Sequence, residues 1–457
     1  MSSHWMFERL ESFGDRPAFI WQGEAFSYRT LCDLTCQQLD LLKGVGVGGG
    51  RVVAMSGDYS PAACAFFIAA VVNRNIIVPL TAATSASHDR MQAIAEVSAK
   101  AWFDETDRPS LDVLHVRQSD HPLLQQIASD GKAGLVLFTS GSSGAGKAVL
   151  LDLDRLLTRF KPVRPPLRTL VFLQLDHIGG INTMLYVLCN GGTLVRARER
   201  TVDAICTIID HAGVELLPTT PTFLRMMLIA DATKHYSLRS LTLITYGTEP
   251  MPENTLLAAQ RTLPWVRFKQ TYGLSELGIL PSQSESAGST WIKLGSGGFE
   301  LRVEDGTLWI RSPTAMLGYL NAPSPFTEDG WFNTQDAVEV RGDYLRILGR
   351  KSEFINVGGE KVHPAEVENI LLAMSNVRDV TAFGRPNPVT GQVVCARVTL
   401  QQQEDASAFR QRLREFCRGR MPRYKIPVAV EVIGEEQHSY RFKKLRRFAK
   451  SSLPSSW

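Results

Sequence analysis

Residues 135–149 read LVLFTSGSSGAGKAV. An apolar run, Leu135 to Phe138, enters six small or hydroxylated residues, Thr139 to Gly144, followed by Ala145, Gly146 and Lys147. The run predicts a buried strand, and the residues after it predict a loop whose backbone N–H groups and hydroxyls wrap phosphate oxygens. Only small side chains allow so close an approach. A polyphosphate ligand is implied. Gly141 to Lys147 also satisfies G-x-x-x-x-G-K, but the residue after the lysine is Ala148, where a P-loop NTPase needs Ser or Thr to hold magnesium.

Outward from this loop, short β-branched runs recur: RVVAM (51–55), NIIVPL (75–80), TLVFLQL (169–175), GTLVRA (192–197) and LTLITYG (241–247). They alternate with segments of helical period, which predicts an α/β core with much parallel sheet. Gly44 to Gly49 matches G-x-G-x-x-G, yet it follows a helical segment and precedes a strand. That is the reverse of the dinucleotide-binding order, so it reads as a loop. Beyond about residue 285 the texture turns to hairpins. FELRVEDGTLWIRS (299–312) is strand, Asp-Gly turn, strand. This predicts a β subdomain closing the larger domain.

A further boundary is expected at Gly349-Arg350, giving a large domain over 1–349 and a small α+β domain over 350–457. Pro364 suits the first turn of a helix whose apolar stripe is Val367, Ile370, Leu371 and Met374. A strand (VVCARVTL), a helix (SAFRQRLREFCRGR) and a basic tail follow.

Four more segments come in fixed order: YGTEP (246–250), TYGLSE (271–276), GWFNTQD (330–336) and LGRKSEFINVGGEKVHPAEVE (348–368). With the phosphate loop, this order resembles the adenylate-forming superfamily, closest in pattern to its acyl-CoA and aryl-CoA synthetases. The resemblance spans nearly the whole chain. It implies a core domain of packed mixed sheets with helices, and a small mobile lid that rotates between two half-reactions. The implied reaction is activation of a carboxylic acid by ATP as its acyl-adenylate, with transfer of the acyl group to a thiol.

Carried over by position, the resemblance implies that Thr139, Ser140, Ser142, Ser143 and Lys147 hold the β- and γ-phosphates, with Gly141 and Gly144 completing the loop. It implies too that Glu276 binds Mg2+, that Gly247, Thr248, Glu249 and Tyr272 flank the adenine, and that Gly273 belongs to the same nucleotide-binding set, beside the acid pocket. Asp336 accepts the ribose hydroxyls, and Arg350 assists at the ribose or phosphate. His177 stands at the edge of the acid pocket. Lys443 is the mobile cation that lets a carboxylate meet the α-phosphate, and Lys444 is its neighbouring alternative. Gly358-Gly359 lines a channel for a pantetheine arm.

Departures from the family pattern include Phe442 and Gln335 where glycine is usual, Gly146 for proline, and Ser352 at the hinge. As thiol, coenzyme A is the first expectation. The phosphopantetheine of a separate acyl carrier protein is the alternative, since only fourteen residues follow Lys443.

Composition bounds the rest. The chain has 457 residues, 44% hydrophobic and 21% charged, with a formal net charge of +4, too small to call for a nucleic-acid or anionic-membrane partner. In SYRFKKLRRFAK (439–450) six of twelve residues are basic, which alone would also suit a solvated or nucleic-acid-binding helix. Seven scattered cysteines without a C-x-x-C pair, and an N-terminus without an apolar leader, point to a reduced, cytoplasmic compartment.

Overall fold

The structure is a computed structural model and describes residues 4–104, 106–115, 118–139, 146–434, 437–438, and 444. Its centre is the helix Pro61–Val72. Pro61 sits in its first turn, Ser60 Oγ accepts from Ala63 N to cap it, and every residue from Pro61 to Val71 is buried. A helix apolar on all sides must be enclosed, and two seven-stranded sheets enclose this one. Phe66, Phe67 and Ile68 each contribute about 1.5–3 kcal/mol by burial. They share one cluster with Phe19 and Leu194 of the first sheet and with Val53, Met55 and Leu135 of the second. The helices Tyr28–Gly44 and Ile178–Cys189 fill the same layer.

The first sheet runs in the order Arg267–Gln270, Leu243–Tyr246, Leu216–Thr219, Arg168–Leu170, Thr193–Val195, Pro17–Trp21, Glu24–Ser27, parallel except for the last pair. The second runs Gly318–Tyr319, Ala148–Asp152, Gly134–Phe138, Ile76–Leu80, Val52–Ser56, Ala99–Phe103, Pro109–Val113, with a parallel centre and antiparallel flanks. The predicted strand over 169–175 is shorter than its apolar run. It spans Arg168–Leu170, because at Phe172 the backbone N–H turns back to Leu170 O. The G-x-G-x-x-G match falls at the end of helix Tyr28–Gly44 and the loop after it, as its order in the chain required.

The β subdomain is a six-stranded antiparallel sheet that includes Thr307–Arg311, Phe332–Arg341 and Tyr344–Arg350. Its Glu300–Glu304 hairpin turns on Asp305 and Gly306, both at positive φ (48° and 67°), the geometry an Asp-Gly pair favours. A 3₁₀ turn, Lys351–Glu353, then leads to a second mixed sheet of Ile355–Val357, Glu360–Val362, Val377–Asn387, Gly391–Leu400 and Ala429–Val432. Helices Pro364–Leu372 and Ala406–Cys417 cover it and share its separate apolar cluster. The stripe read from sequence holds for Val367, Ile370 and Leu371, with Ile370 partly buried against the cluster. Met374 lies past the helix end yet is buried. Among the described residues no helix is long and apolar enough to cross a membrane.

Candidate active site

In the first sheet Thr219, Tyr246 and Gln270 are in register across three parallel strands, so those strands end along one edge. Ligands of open parallel sheets bind beyond such carboxyl edges. The segments leaving this edge are 247–249 and 271–273, joined at once by Thr271 N donating to Tyr246 O at 2.8 Å. A Cβ on Gly247 would stand 2.7 Å from Thr271 O, and one on Gly273 would stand 2.7 Å from the main-chain Gly278 O. Both positions therefore require glycine. Thr248 holds φ at 73°, a left-handed conformation that costs a threonine about 1–3 kcal/mol.

Tyr272, on the short strand Tyr272–Leu274, donates its hydroxyl to Asp336 Oδ2 at 2.6 Å. Asp336 pairs directly with Arg350 on the neighbouring strand, and Arg350 Nε lies 3.6 Å from Asp336 Oδ1. Thr334 fixes the strand beneath: its Oγ1 accepts from Asp336 N and donates to Leu308 O. Burial raises the Asp336 carboxyl above its ordinary range, opposed by the Tyr272 hydrogen bond and by Arg350. Burial likewise pushes the Tyr272 phenol up, reinforced by the Asp336 charge. Gln335 stands at φ 64°, which explains why glycine is common at this position in the family the sequence resembles.

The phosphate loop is pinned at its base. Thr139 N donates to Lys147 O at 2.9 Å, and Lys147 N donates to Thr139 Oγ1 at 3.3 Å. Asn321 clamps the same base, accepting from Ala148 N at 2.9 Å and donating to Gly146 O at 3.1 Å. A Cβ on Gly146 would stand 2.5 Å from Thr139 O, so in this chain the position excludes the usual proline. Ser140, Gly141, Ser142, Ser143 and Gly144 lie outside the described residues.

Lys147 Nζ sits 4.8 Å over the ring of Tyr319, whose hydroxyl donates to Glu276 Oε1 at 2.9 Å. This row is an electrostatic neighbour of the first: Glu276 acts on Asp336, and Arg350 acts on Tyr319. Among the described residues no group of three or more His, Cys, Asp or Glu could hold a metal. A single carboxylate such as Glu276 still suits Mg2+, which keeps most of its coordination for water and phosphate oxygens.

Glu249 joins the edge to the C-terminal domain. Its Oε1 accepts from Thr222 N at 2.8 Å and its Oε2 lies 3.4 Å from Lys444 N. The Lys444 side chain turns the other way, into the C-terminal domain, donating to Val380 O at 2.5 Å and lying 3.4 Å from Asp379 and 3.7 Å from Glu368. Lys444 is thus an anchor. Lys443 lies outside the described residues.

His177 caps the helix Ile178–Cys189, its Nδ1 accepting from Gly179 N at 3.0 Å. The neighbouring Asp176 accepts from Thr81 Oγ1. Gly358 and Gly359, at φ 61° and 93°, form the turn between Ile355–Val357 and Glu360–Val362, with bonds to Thr390 O and Asn356 Oδ1 inside their own sheet. The structure does not bring them to the nucleotide groups. Sequence reasoning missed Tyr319, Asn321 and Thr334. Tyr319 and Asn321 lie in a short segment with ordinary composition, and Thr334 lies inside the quoted GWFNTQD segment without being singled out; only pairing gives each its place.

A family model described as AMP-binding enzyme matches residues 6–320, and one described as AMP-binding enzyme C-terminal domain matches residues 366–443. The chain belongs to the AMP-binding enzyme family. Among relatives of this AMP-binding enzyme, an indoleacetate–CoA ligase of Aromatoleum aromaticum is 28% identical, over 95% of this chain and 94% of that protein. A medium/long-chain-fatty-acid–acyl-carrier-protein ligase of Mycobacterium tuberculosis is 29% identical over 68% of this chain and 65% of its own length. The fold matches that of the anthranilate CoA ligase AuaEII in complex with anthranoyl-AMP, with a TM-score of 0.81 at 20% identity, covering 96% of this chain and 95% of that one.

Proposed function

We propose that this AMP-binding enzyme is an ATP-dependent, AMP-forming ligase that joins a small carboxylic acid to a thiol, with coenzyme A as the acceptor. The observation that carries this reading is that the Tyr272–Asp336–Arg350 group and the Lys147–Tyr319–Glu276 row, drawn from three different sheets, lie close enough to act on each other electrostatically.

Asp336 offers acceptors for the ribose hydroxyls, and Arg350 supplies positive charge beside them. The loop from Thr139 to Lys147 holds the β- and γ-phosphates, leaving the α-phosphate open to in-line attack. A carboxylate oxygen of the acid bonds to the α-phosphorus, and the bond to the bridging oxygen of pyrophosphate breaks. Thiolate sulfur then attacks the acyl carbon, and AMP leaves with the carboxyl oxygen. Glu276 would hold Mg2+, which when bound neutralises phosphate charge. Lys443 is assigned the junction of the two anions, since Lys444 is committed to its carboxylates. His177 borders the acid pocket at the start of its helix.

We assign residues 1–349 to the core and 350–457 to a lid that turns at Lys351–Glu353 to bring Gly358-Gly359 alongside the thiol arm. The seven free cysteines support a reducing, cytoplasmic setting.

Pyrophosphate exchange into ATP, screened over fatty, benzoic, cinnamic, indoleacetic and amino acids, tests the first half-reaction. Absence of exchange with every acid would overturn the reading. Product formation with CoA against a holo carrier protein tests the second. Efficient carrier loading with no acyl-CoA would replace the acceptor with carrier phosphopantetheine; the M. tuberculosis relative is named for an acyl-carrier-protein acceptor.

A further inference from the structure

The helix Pro221–Ile229 meets the C-terminal domain through Glu249 at its start and directly through Arg225 one turn on. At its start, Thr222 N is taken by Glu249, whose other oxygen faces Lys444 N. One turn on, Arg225 Nε and Nη2 donate to Arg378 O at 3.0 and 2.8 Å, and Nη2 reaches Val377 O at 3.4 Å. Those carbonyls begin the strand Val377–Asn387, which also carries Asp379. Asp379, on the same strand, lies 3.4 Å from Lys444 Nζ and favours the charge on Arg225. The strand that Arg225 grips therefore also holds Lys444, next in sequence to the assigned catalytic lysine. Alongside, Asn254 Nδ2 donates to Asn369 O at 3.1 Å, a further polar contact across the same seam.

The acceptors Arg225 uses are main-chain carbonyls, so its contact depends on where the domain stands and not on which side chains it bears. A planar fork grips such a pair of acceptors in one orientation only, a grip that a lysine ammonium cannot reproduce. We propose that Arg225 is a positioning residue for adenylation: its fork on Val377 and Arg378 fixes the C-terminal domain with Lys444 at Glu249. Release of that fork lets the domain turn for acyl transfer. The inference rests on the acid–thiol ligase reading, but its first test does not.

Asn254→Cys with Asn369→Cys in the full chain gives a disulfide whose rate of formation under mild oxidant reports docking without turnover. Arg225→Ala in that background is expected to slow cross-linking about 10-fold, the loss of one to two charge-assisted hydrogen bonds. On the native background it should lower pyrophosphate exchange about 10- to 100-fold, and leave transfer from presynthesised acyl-AMP to CoA within about 2-fold. Arg225→Lys should fall between, and thermal unfolding should be unchanged. Unchanged cross-linking, or equal loss in both half-reactions, would overturn the proposal. Slowed cross-linking in a chain that exchanges pyrophosphate with no acid would uphold the latch and count against the ligase reading.

Discussion

The hydroxyl of Tyr272 and Oδ2 of Asp336 share a 2.6 Å hydrogen bond, although the two residues are 64 positions apart and on different sheets. The bond gives a buried carboxylate a fixed donor, so in the proposed site the acceptor for the ribose hydroxyls is oriented before nucleotide arrives.

Asp336→Asn separates binding from folding. The folded-state pKa of Asp336 is raised by burial, so its ionisation opposes folding. The stability of the protonated form is fully present below the ordinary carboxyl value of 3.8 and is lost as pH rises through the higher folded value. At pH 7 the amide should therefore leave the melting temperature equal or higher, and near pH 3 it should change it little. ATP affinity, measured by calorimetry, should fall about 10- to 100-fold with loss of charge-assisted bonds to the ribose.

The two adjacent lysines should part in their effects. Lys443→Ala should abolish pyrophosphate exchange, spare transfer from acyl-AMP, and leave the melting temperature unchanged. Lys444→Ala leaves Glu368 and Asp379 without their ammonium and should cost about 3–5 kcal/mol, read as a lower denaturant midpoint of the C-terminal domain. The opposite assignment of the two phenotypes would show that Lys444 is the reacting residue.

Asn321 holds the phosphate loop through Ala148 N and Gly146 O. Its replacement by alanine removes two neutral hydrogen bonds, about 1–3 kcal/mol together. KM for ATP in steady-state assays should rise about 10-fold while kcat changes less, because the loop's chemistry is intact and only its base is loosened.

Gly359 tests the thiol step. A Cβ there meets nothing within 4 Å, so Gly359→Trp is limited by its positive φ and not by space in this arrangement. Adenylate should form and accumulate while transfer to CoA is blocked, seen as a burst of AMP-bound acid without thioester. Normal transfer would remove the glycine turn from the proposed channel.

Sequence alone determined what is local. A strand feeding tiny residues and a lysine, an Asp-Gly hairpin, a proline-started helix and the order of five motifs are all set by side-chain size, backbone freedom and period, which act over a few residues. These named the α/β core, the β subdomain and most of the nucleotide-binding candidates. Tertiary structure decided what depends on approach between distant segments. It paired Asp336 with Tyr272 and Arg350, set Tyr319 between Lys147 and Glu276, and turned Lys444 into its own domain. None of these could be read from composition, because a hydroxyl, an ammonium or a carboxylate takes its role from the partner that folding brings within 3–4 Å.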